Sequence, residues 1–357
     1  MTRPIQARIS FPALQNNLDV ARQSAPGSRI MAVIKANGYG HGLLRAAGAF
    51  TGAEGFAVID LNDAVVLRAA GFRQRILLLN GFYGVDELPA IAENSLAVVI
   101  HHEEQLQILE TTSLPVRLDV FLKLNTGMNR LGFKVEAFSG ILQRLKRNRQ
   151  VGSITLMTHF ACADDEQGVD AQLEQFNKIA AGRNLPKSLA NSAAVLRYPE
   201  THADWVRPGI MLYGSSPFAE KSAKELGLRP VMTLTSRIIA TQDLQPDERV
   251  GYTGLFTAEK QMKVGIIACG YADGYPRHAR TGTPVIVNGK LTRTLGRISM
   301  DTLCVDLSEI PDAGVGAPVT LWGEGLPVED VAQAAGTVSY ELFTKLNPRV
   351  PVVEFHG

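Results

Sequence analysis

The stretch RIMAVIKANGYGHG, residues 29–42, changes character at Lys35. Ahead of the lysine runs a short apolar segment of the length of a buried strand. After it come Asn37, Tyr39, His41 and three glycines, the chemistry of a tight turn rich in hydrogen-bonding groups. Lysines are mostly solvated surface charges. This one closes an apolar strand, and in a parallel barrel the ends of the strands form the catalytic rim.

Working outward, short apolar runs recur along the chain: GFAVI (55–59), RILLLN (75–80), LAVVI (96–100), VRLDVFLKL (116–124), SITLMTHF (153–160), KSLAN (187–191) and GIMLYG (209–214). Helix-like segments such as LNDAVVLRAAG and DAQLEQFNKIAAG lie between them and end on glycine, a common helix stop. About eight strand–helix units predict an α/β fold whose first part is a (β/α)8 TIM-type barrel, expected over residues 10–215. The texture then changes. Residues 216–357 read as a predominantly β domain, with an Asn288-Gly289 hairpin signal inside GTPVIVNGKLTRTLG. The N-terminal strand, 1–9, is a candidate addition to that domain.

The 357 residues carry 36 basic and 35 acidic side chains, for a formal net charge of +1, which gives no basic footprint for nucleic acid. No apolar run reaches membrane-spanning length, so a soluble cytoplasmic protein is expected. Cys162, Cys269 and Cys304 are widely spaced and form no C-x-x-C, against a disulfide framework or zinc site.

Four polar groups fall at predicted strand ends: Lys35, Lys123, His159 and Arg207. Burial and neighbouring cations disfavour an ammonium and release a nucleophilic amine, which can form a Schiff base with a carbonyl. That carbonyl belongs either to a sugar, as in an aldolase, or to pyridoxal phosphate. The second case needs a phosphate site. Asn191 and Ser192 in LANSAA and the backbone of Gly209 and Ile210 in RPGI lie after strands seven and eight, where barrels often bind phosphate. Tyr39 adds a phenolic donor. GYGHG is not a dinucleotide fingerprint, and no P-loop, zincin or nucleophile-elbow motif is present. THFACADDE offers His159, Asp164 and Asp165, but no second histidine at metal-ligand spacing.

With these residues assembled, the sequence resembles the alanine racemases, pyridoxal-phosphate enzymes of the barrel-plus-β-domain type. AVIKANGYGHG, LKLNTGMNRLGF, MTHFACADDE, LANSAAVLRYP, DWVRPGIMLYG, VGYTG, CGYADGYPR and LGRISMD follow in the family's order over nearly the whole chain. The resemblance implies a two-base interconversion of L- and D-alanine, supplying D-alanine for peptidoglycan or serving alanine catabolism. It implies that Lys35 carries the cofactor and acts as one base. Tyr252 is then the second base, contributed by the partner subunit of a homodimer. His159 and Arg207 form a network with that tyrosine, and Arg207 faces the pyridine nitrogen.

The resemblance further implies that Arg130 holds the substrate carboxylate and the cofactor's phenolic oxygen, with help from the backbone N–H of Met300. Lys123 is implied to be carbamylated. On the same resemblance, Asp164, Tyr271 and Arg277 are expected to line the substrate's access corridor, and Tyr39, Asn191, Ser192, Gly209 and Ile210 to surround the cofactor. Three departures stand out. Asn125 replaces a common aspartate, Ser188 a common histidine, and Pro348 a tyrosine that touches phosphate in some members. A non-catalytic pyridoxal-phosphate carrier, a cofactor-free Schiff-base lyase, a related decarboxylase and a racemase of broader specificity remain alternatives. His41 has no role derivable from sequence.

Overall fold

Seven of the apolar runs, with Trp205–Val206 as the eighth strand, pair in parallel and close on themselves. The computed structural model describes residues 3–357; residues 1 and 2, the start of the expected strand 1–9, lie outside the described residues. The first strand, β1 (Gln6–Ser10), belongs to the second unit below. The barrel is built from β2 (Arg29–Val33), β3 (Gly55–Val58), β4 (Arg75–Leu78), β5 (Ala97–Ile100) and β6 (Leu118–Asn125). The two-residue β7 (Phe133–Lys134) runs beside the end of β6. Then follow β8 (Val151–Met157), β9 (Lys187–Ser188) and β10 (Trp205–Val206). The ring closes where Trp205 pairs with Arg29 and Val206 with Ile30. β5 joins β6 with Val98 opposite Val120.

Every residue of β3 and β5 is buried. Helices cover the outer face of such a sheet and side chains fill its interior, so these strands read as unbroken apolar runs.

One expected strand is elsewhere. GIMLYG contains a single 3-10 turn, Ile210–Tyr213, and the eighth strand lies upstream in Trp205–Val206. Ile210, Met211, Leu212 and Tyr213 are all buried. A short apolar run of this kind is compatible with strand or helix, and periodicity does not separate them. Pro208, which lacks an N–H, stands between the real strand and the turn.

The chain divides into two compact units. Gln15–Leu212 with Ser216–Gly227 carries the barrel; Tyr213–Ser215 and Leu228–Gly357, with the chain up to Leu14, form the other. The second unit contains β11 (Met232–Leu244), β12 (Arg249–Val250), β13 (Phe256–Thr257), β14 (Met262–Ile267) and β15 (Pro284–Val287). It continues with β16 (Lys290–Leu295), β17 (Leu303–Asp306), β18 (Pro318–Trp322) and β19 (Val352–Phe355). The antiparallel ring β11–β14–β17–β16–β15–β18 closes on β11, whose two register shifts let one long strand serve both sides. β1 extends it, antiparallel to β11 and parallel to β19. Asn288 and Gly289, with φ of 49° and 76°, make the tight turn between β15 and β16. Among the described residues no helix is long and apolar enough to cross a membrane.

The rim is sewn together after β4 and β5. Gln105, buried in the helix Glu103–Thr111, accepts from His101 N at 3.0 Å and donates to the carbonyls of Asn80 at 2.9 Å and Phe82 at 3.0 Å. Gly81 sits inside this tie with φ +71°, and a Cβ there would lie 2.1 Å from the Val99 carbonyl oxygen. Left-handed backbone costs a side-chain-bearing residue about 1–2 kcal/mol before any overlap is counted. Gly81→Ala is therefore expected to lose more than about 2 kcal/mol in urea unfolding. An unchanged midpoint would show that this rim turn is not rigid.

Candidate active site

Lys35 opens a left-handed turn. Ala36, Asn37, Gly38, Tyr39 and Gly40 have φ of 51°, 55°, 60°, 51° and 79°. Runs of this kind are rare for residues with side chains, and such strain concentrates at functional sites. Backbone bonds from Gly38 N to Ile34 O (2.9 Å), Gly40 N to Ala36 O (3.0 Å) and Gly42 N to Asn37 O (2.8 Å) hold it. Asn37 Oδ1 accepts from Leu43 N at 2.9 Å and ties the turn to the next helix. A turn is legible in the sequence here; its handedness is not, because nothing in Ala36 or Tyr39 demands positive φ. The turn buries Tyr39 against Gly209, where a Cβ would meet the phenolic oxygen at 2.5 Å. Only glycine permits that approach.

The cations expected at the rim do converge. Burial lowers the pKa of Lys35, and the charge of Arg130 lowers it further. Lys123 is buried and pushed down to about 7, first by burial, then by Arg207, Arg130 and Lys35. His159 is held well below the usual histidine value by burial and the same four cations. Arg130 itself is exposed.

Arg207 is 4% exposed, and burial brings its guanidinium down to about 10, so it stays charged at neutral pH. Nη1 donates to Ser188 Oγ at 2.7 Å; Nη2 donates to the carbonyls of Thr158 at 2.7 Å and Leu189 at 3.1 Å. Nη2 also lies 3.4 Å from His159 Nδ1. A guanidinium only donates, so Nδ1 accepts and the His159 proton belongs on Nε2. Ser188, noted in the sequence only as a departure, is thus a direct partner of Arg207. Beneath the rim, the Thr126 and Thr158 hydroxyls lie 2.7 Å apart, and Gln172 Nε2 donates to Thr126 Oγ1 at 3.3 Å and to the His159 carbonyl at 3.1 Å.

Next to these groups, Asn191 Oδ1 accepts from Ala194 N at 3.0 Å and caps the short helix Ser192–Arg197. Ser192 Oγ accepts from Gly209 N at 2.8 Å and from Met211 N at 3.4 Å. The Gly209 N–H, expected to be open to a ligand, is therefore turned toward Ser192. With its oxygen receiving two N–H groups, the Ser192 hydroxyl keeps its own proton to donate. Ile210 is buried beside it, and Asp164 is exposed on the loop after β8.

The remaining candidates lie in the β unit. Tyr252 is 68% exposed and Met300 53% exposed. Tyr271 lies under the Arg277 guanidinium, 5.9 Å from ring centroid to Cζ. The loops carrying Tyr271 and Met300 are joined by Tyr271 N to Ser299 O and Ala272 N to Met300 O, both 3.0 Å. A carboxylate missed by the sequence reading secures them. Asp273 is fully buried. It accepts from Arg3 at 2.6 and 2.9 Å, from Arg349 Nε at 2.7 Å and from Gly270 N at 2.9 Å. Arg349 also bonds Asp301, next to Met300, at 2.6 Å. An aspartate inside an apolar motif was the available signal; its partners are 270 and 76 residues away.

The sequence profile described as "Alanine racemase, N-terminal domain" matches residues 9–217, and "Alanine racemase, C-terminal domain" matches 231–354. The chain is 61% identical over 353 residues to the alanine racemase of Nitrosospira multiformis, covering 98% of this chain and 99% of that protein. It is 49% identical to the catabolic alanine racemase of Klebsiella aerogenes, with 99% of each chain covered. The crystal structure of biosynthetic alanine racemase from Pseudomonas aeruginosa superposes with a TM-score of 0.97 at 44% identity, covering 99% of this chain and 100% of that one. Fold and comparisons together define an amino-acid racemase, an isomerase. The chain belongs to the alanine racemase family.

Burial alone would raise the Asp273 pKa, but the hydrogen bonds from Arg3, Arg349 and Gly270 outweigh it and hold the carboxyl below its usual value. A carboxyl depressed on folding adds stability that is present above its unfolded pKa of about 4 and is lost as pH falls through the folded value. Asp273→Asn is thus expected to be less stable than the parent at neutral pH, with the difference shrinking below about pH 4. Parallel stability curves across that window would contradict the pairing.

Proposed function

We propose that this chain is a pyridoxal 5'-phosphate-dependent alanine racemase that works in the cytoplasm as a homodimer with shared active sites. The observation that carries the reading is the rim cluster of Lys35, Lys123, Arg130 and Arg207, whose mutual effects are all those of like charges on one another. Such a cluster fits a phosphorylated anion with an aldehyde, which would bring negative charge and a reaction partner for the depressed Lys35 amine. Tyr39, Ser192 and the turn at Gly209–Ile210 fit the phosphate, since they present two hydroxyls beside a backbone that tolerates no Cβ. Asn191 holds that turn's neighbour in place. Pyridoxal phosphate, when bound, supplies the electron sink that acidifies the substrate Cα–H.

The residues then divide the work. Lys35 Nζ holds or releases a proton on one face of the alanine Cα. Tyr252 of the partner subunit does so on the other, and its exposure with neighbouring Leu255 supports contact with a second copy. Two bases are needed because one group on one face returns the proton only where it was taken. With Arg207 fixing its tautomer, the His159 Nε2–H is left as the donor that would serve the tyrosine oxygen of the partner subunit. Arg207 offers donors only, so a ring nitrogen facing it stays unprotonated and the sink is moderated, which favours reprotonation over side reactions. Arg130 and the backbone N–H of the partner's Met300 hold the substrate carboxylate. Asp164, with Tyr271 and Arg277 of the partner subunit, lines the access route.

Purified protein is expected to show a visible absorbance band that Lys35→Ala abolishes. Lys35→Ala and Tyr252→Phe should each lower alanine racemisation by at least about 10²-fold. Co-expressing the two variants should restore activity, because mixed dimers regain one intact site. A colourless protein, or no restoration in verified mixed dimers, would overturn the reading.

Lys123 provides a second test. A neutral amine adds carbon dioxide, forming an N–C bond and releasing a proton, and the resulting carbamate would orient Arg130. With Lys123 titrating at about 7, carbamate is expected to grow as pH rises through that value. Carbon-13 bicarbonate NMR should show a carbamate signal that Lys123→Gln removes. Its absence throughout the range would contradict the assignment.

A further inference from the structure

We propose that His41 is a positioning residue, the side-chain staple that keeps residues 36–40 in the left-handed turn and thereby aims Lys35 and Tyr39 together. The inference rests on the reading that these two residues hold pyridoxal phosphate. His41 is 0% exposed, although it sits in a glycine-rich turn at the rim. Its Nδ1 lies 2.9 Å from the Tyr39 carbonyl and 3.2 Å from the Gly38 carbonyl. Both oxygens only accept, so Nδ1 carries the proton. The His41 backbone N–H also donates to Gly38 O at 3.0 Å. One residue thus closes the turn twice, through its backbone and through its ring.

The remaining supports differ in kind. Gly40 N to Ala36 O and Gly42 N to Asn37 O are made by the turn's own backbone, and Asn37 Oδ1 reaches forward to Leu43. The imidazole is the side chain that satisfies the carbonyl of Tyr39, the residue whose phenol lies against Gly209. Positive φ at Ala36, Asn37 and Tyr39 is unfavourable in isolation, so the turn persists only where such contacts over-determine it. Burial pushes the His41 pKa down to about 4, which keeps the ring neutral in ordinary buffers. Losing the ring donor releases Tyr39 first, then the shared geometry of amine and phenol, while the barrel strands keep their pairing.

The test compares His41→Leu, which fills space without donating, with His41→Asn, whose side-chain amide can donate from about the same place. Two quantities are read on protein stripped of cofactor: the Kd for pyridoxal phosphate, and the rate at which trinitrobenzenesulfonate labels Lys35, mapped by mass spectrometry. His41→Leu is expected to raise the Kd at least about tenfold and change the labelling rate, as loss of one buried hydrogen bond implies. His41→Asn should recover most of both. Wild-type values in His41→Leu, or equal impairment in both variants, would overturn the proposal in favour of packing. If His41→Leu does not fold, a folded His41→Asn decides: wild-type Kd and labelling support the staple, and loss of both refutes it. Should the wild type itself bind no pyridoxal phosphate, the functional reading falls and the labelling rates alone decide on His41.

Discussion

Like charges gathered at one rim, with Lys123 and Arg207 buried and Lys35 half-buried, set the terms for the barrel end of this molecule. Lys35, Lys123, Arg130 and Arg207 all act on one another or on His159, and burial works in the same direction as their repulsion. A cluster of this kind raises the free energy of the ligand-free protein. It lowers amine pKa values toward neutrality and creates a strong preference for an anion. The closed strand ring supplies the stiffness that holds the groups in place. The Thr158 and Leu189 carbonyls and the Ser188 hydroxyl, rather than a carboxylate, accept the hydrogen bonds of the Arg207 guanidinium. That choice leaves its charge uncancelled and available to the site.

The β unit solves the opposite problem. Asp273 is a fully buried carboxylate matched by two guanidinium groups and a backbone N–H. Removing one member of such a set leaves a charge without its partner, which costs far more than the assembled set contributes. Its value lies in geometry: it ties the N-terminal Arg3, the Tyr271 loop, the Met300 loop and the C-terminal Arg349 to one point. Charge is matched where the β-unit loops are fixed and left unmatched at the barrel rim.

Much of this was legible in the sequence, for identifiable reasons. Strands buried on both faces leave unbroken apolar runs, so most of the barrel and the Asn288-Gly289 hairpin could be read directly. Residues 209–214 misled because a buried 3-10 turn is as apolar as a strand. Lys35, Lys123, His159 and Arg207 were singled out because strand ends are where a barrel places its chemistry, and the fold does bring them to one rim. The partners that fix them were not. Ser188 looked like a lost histidine, yet its hydroxyl receives Arg207. Gly209 looked like an open N–H donor, yet that N–H is taken by Ser192. The left-handed turn after Lys35 and the Asp273 set depend on tertiary contacts that no local pattern encodes. His41 gained a role only when its ring was seen against the Tyr39 carbonyl.

The central claim is that burial and mutual repulsion hold the rim lysines ready for reaction. Carbon-13 NMR titration of ε-labelled lysine in cofactor-free protein, kept free of carbon dioxide, measures this directly, with Lys35→Arg and Lys123→Arg assigning the two signals. The account predicts that Lys123 titrates at about 7 and Lys35 below the ordinary lysine value. Titration of both near the usual value of about 10.4 would contradict it.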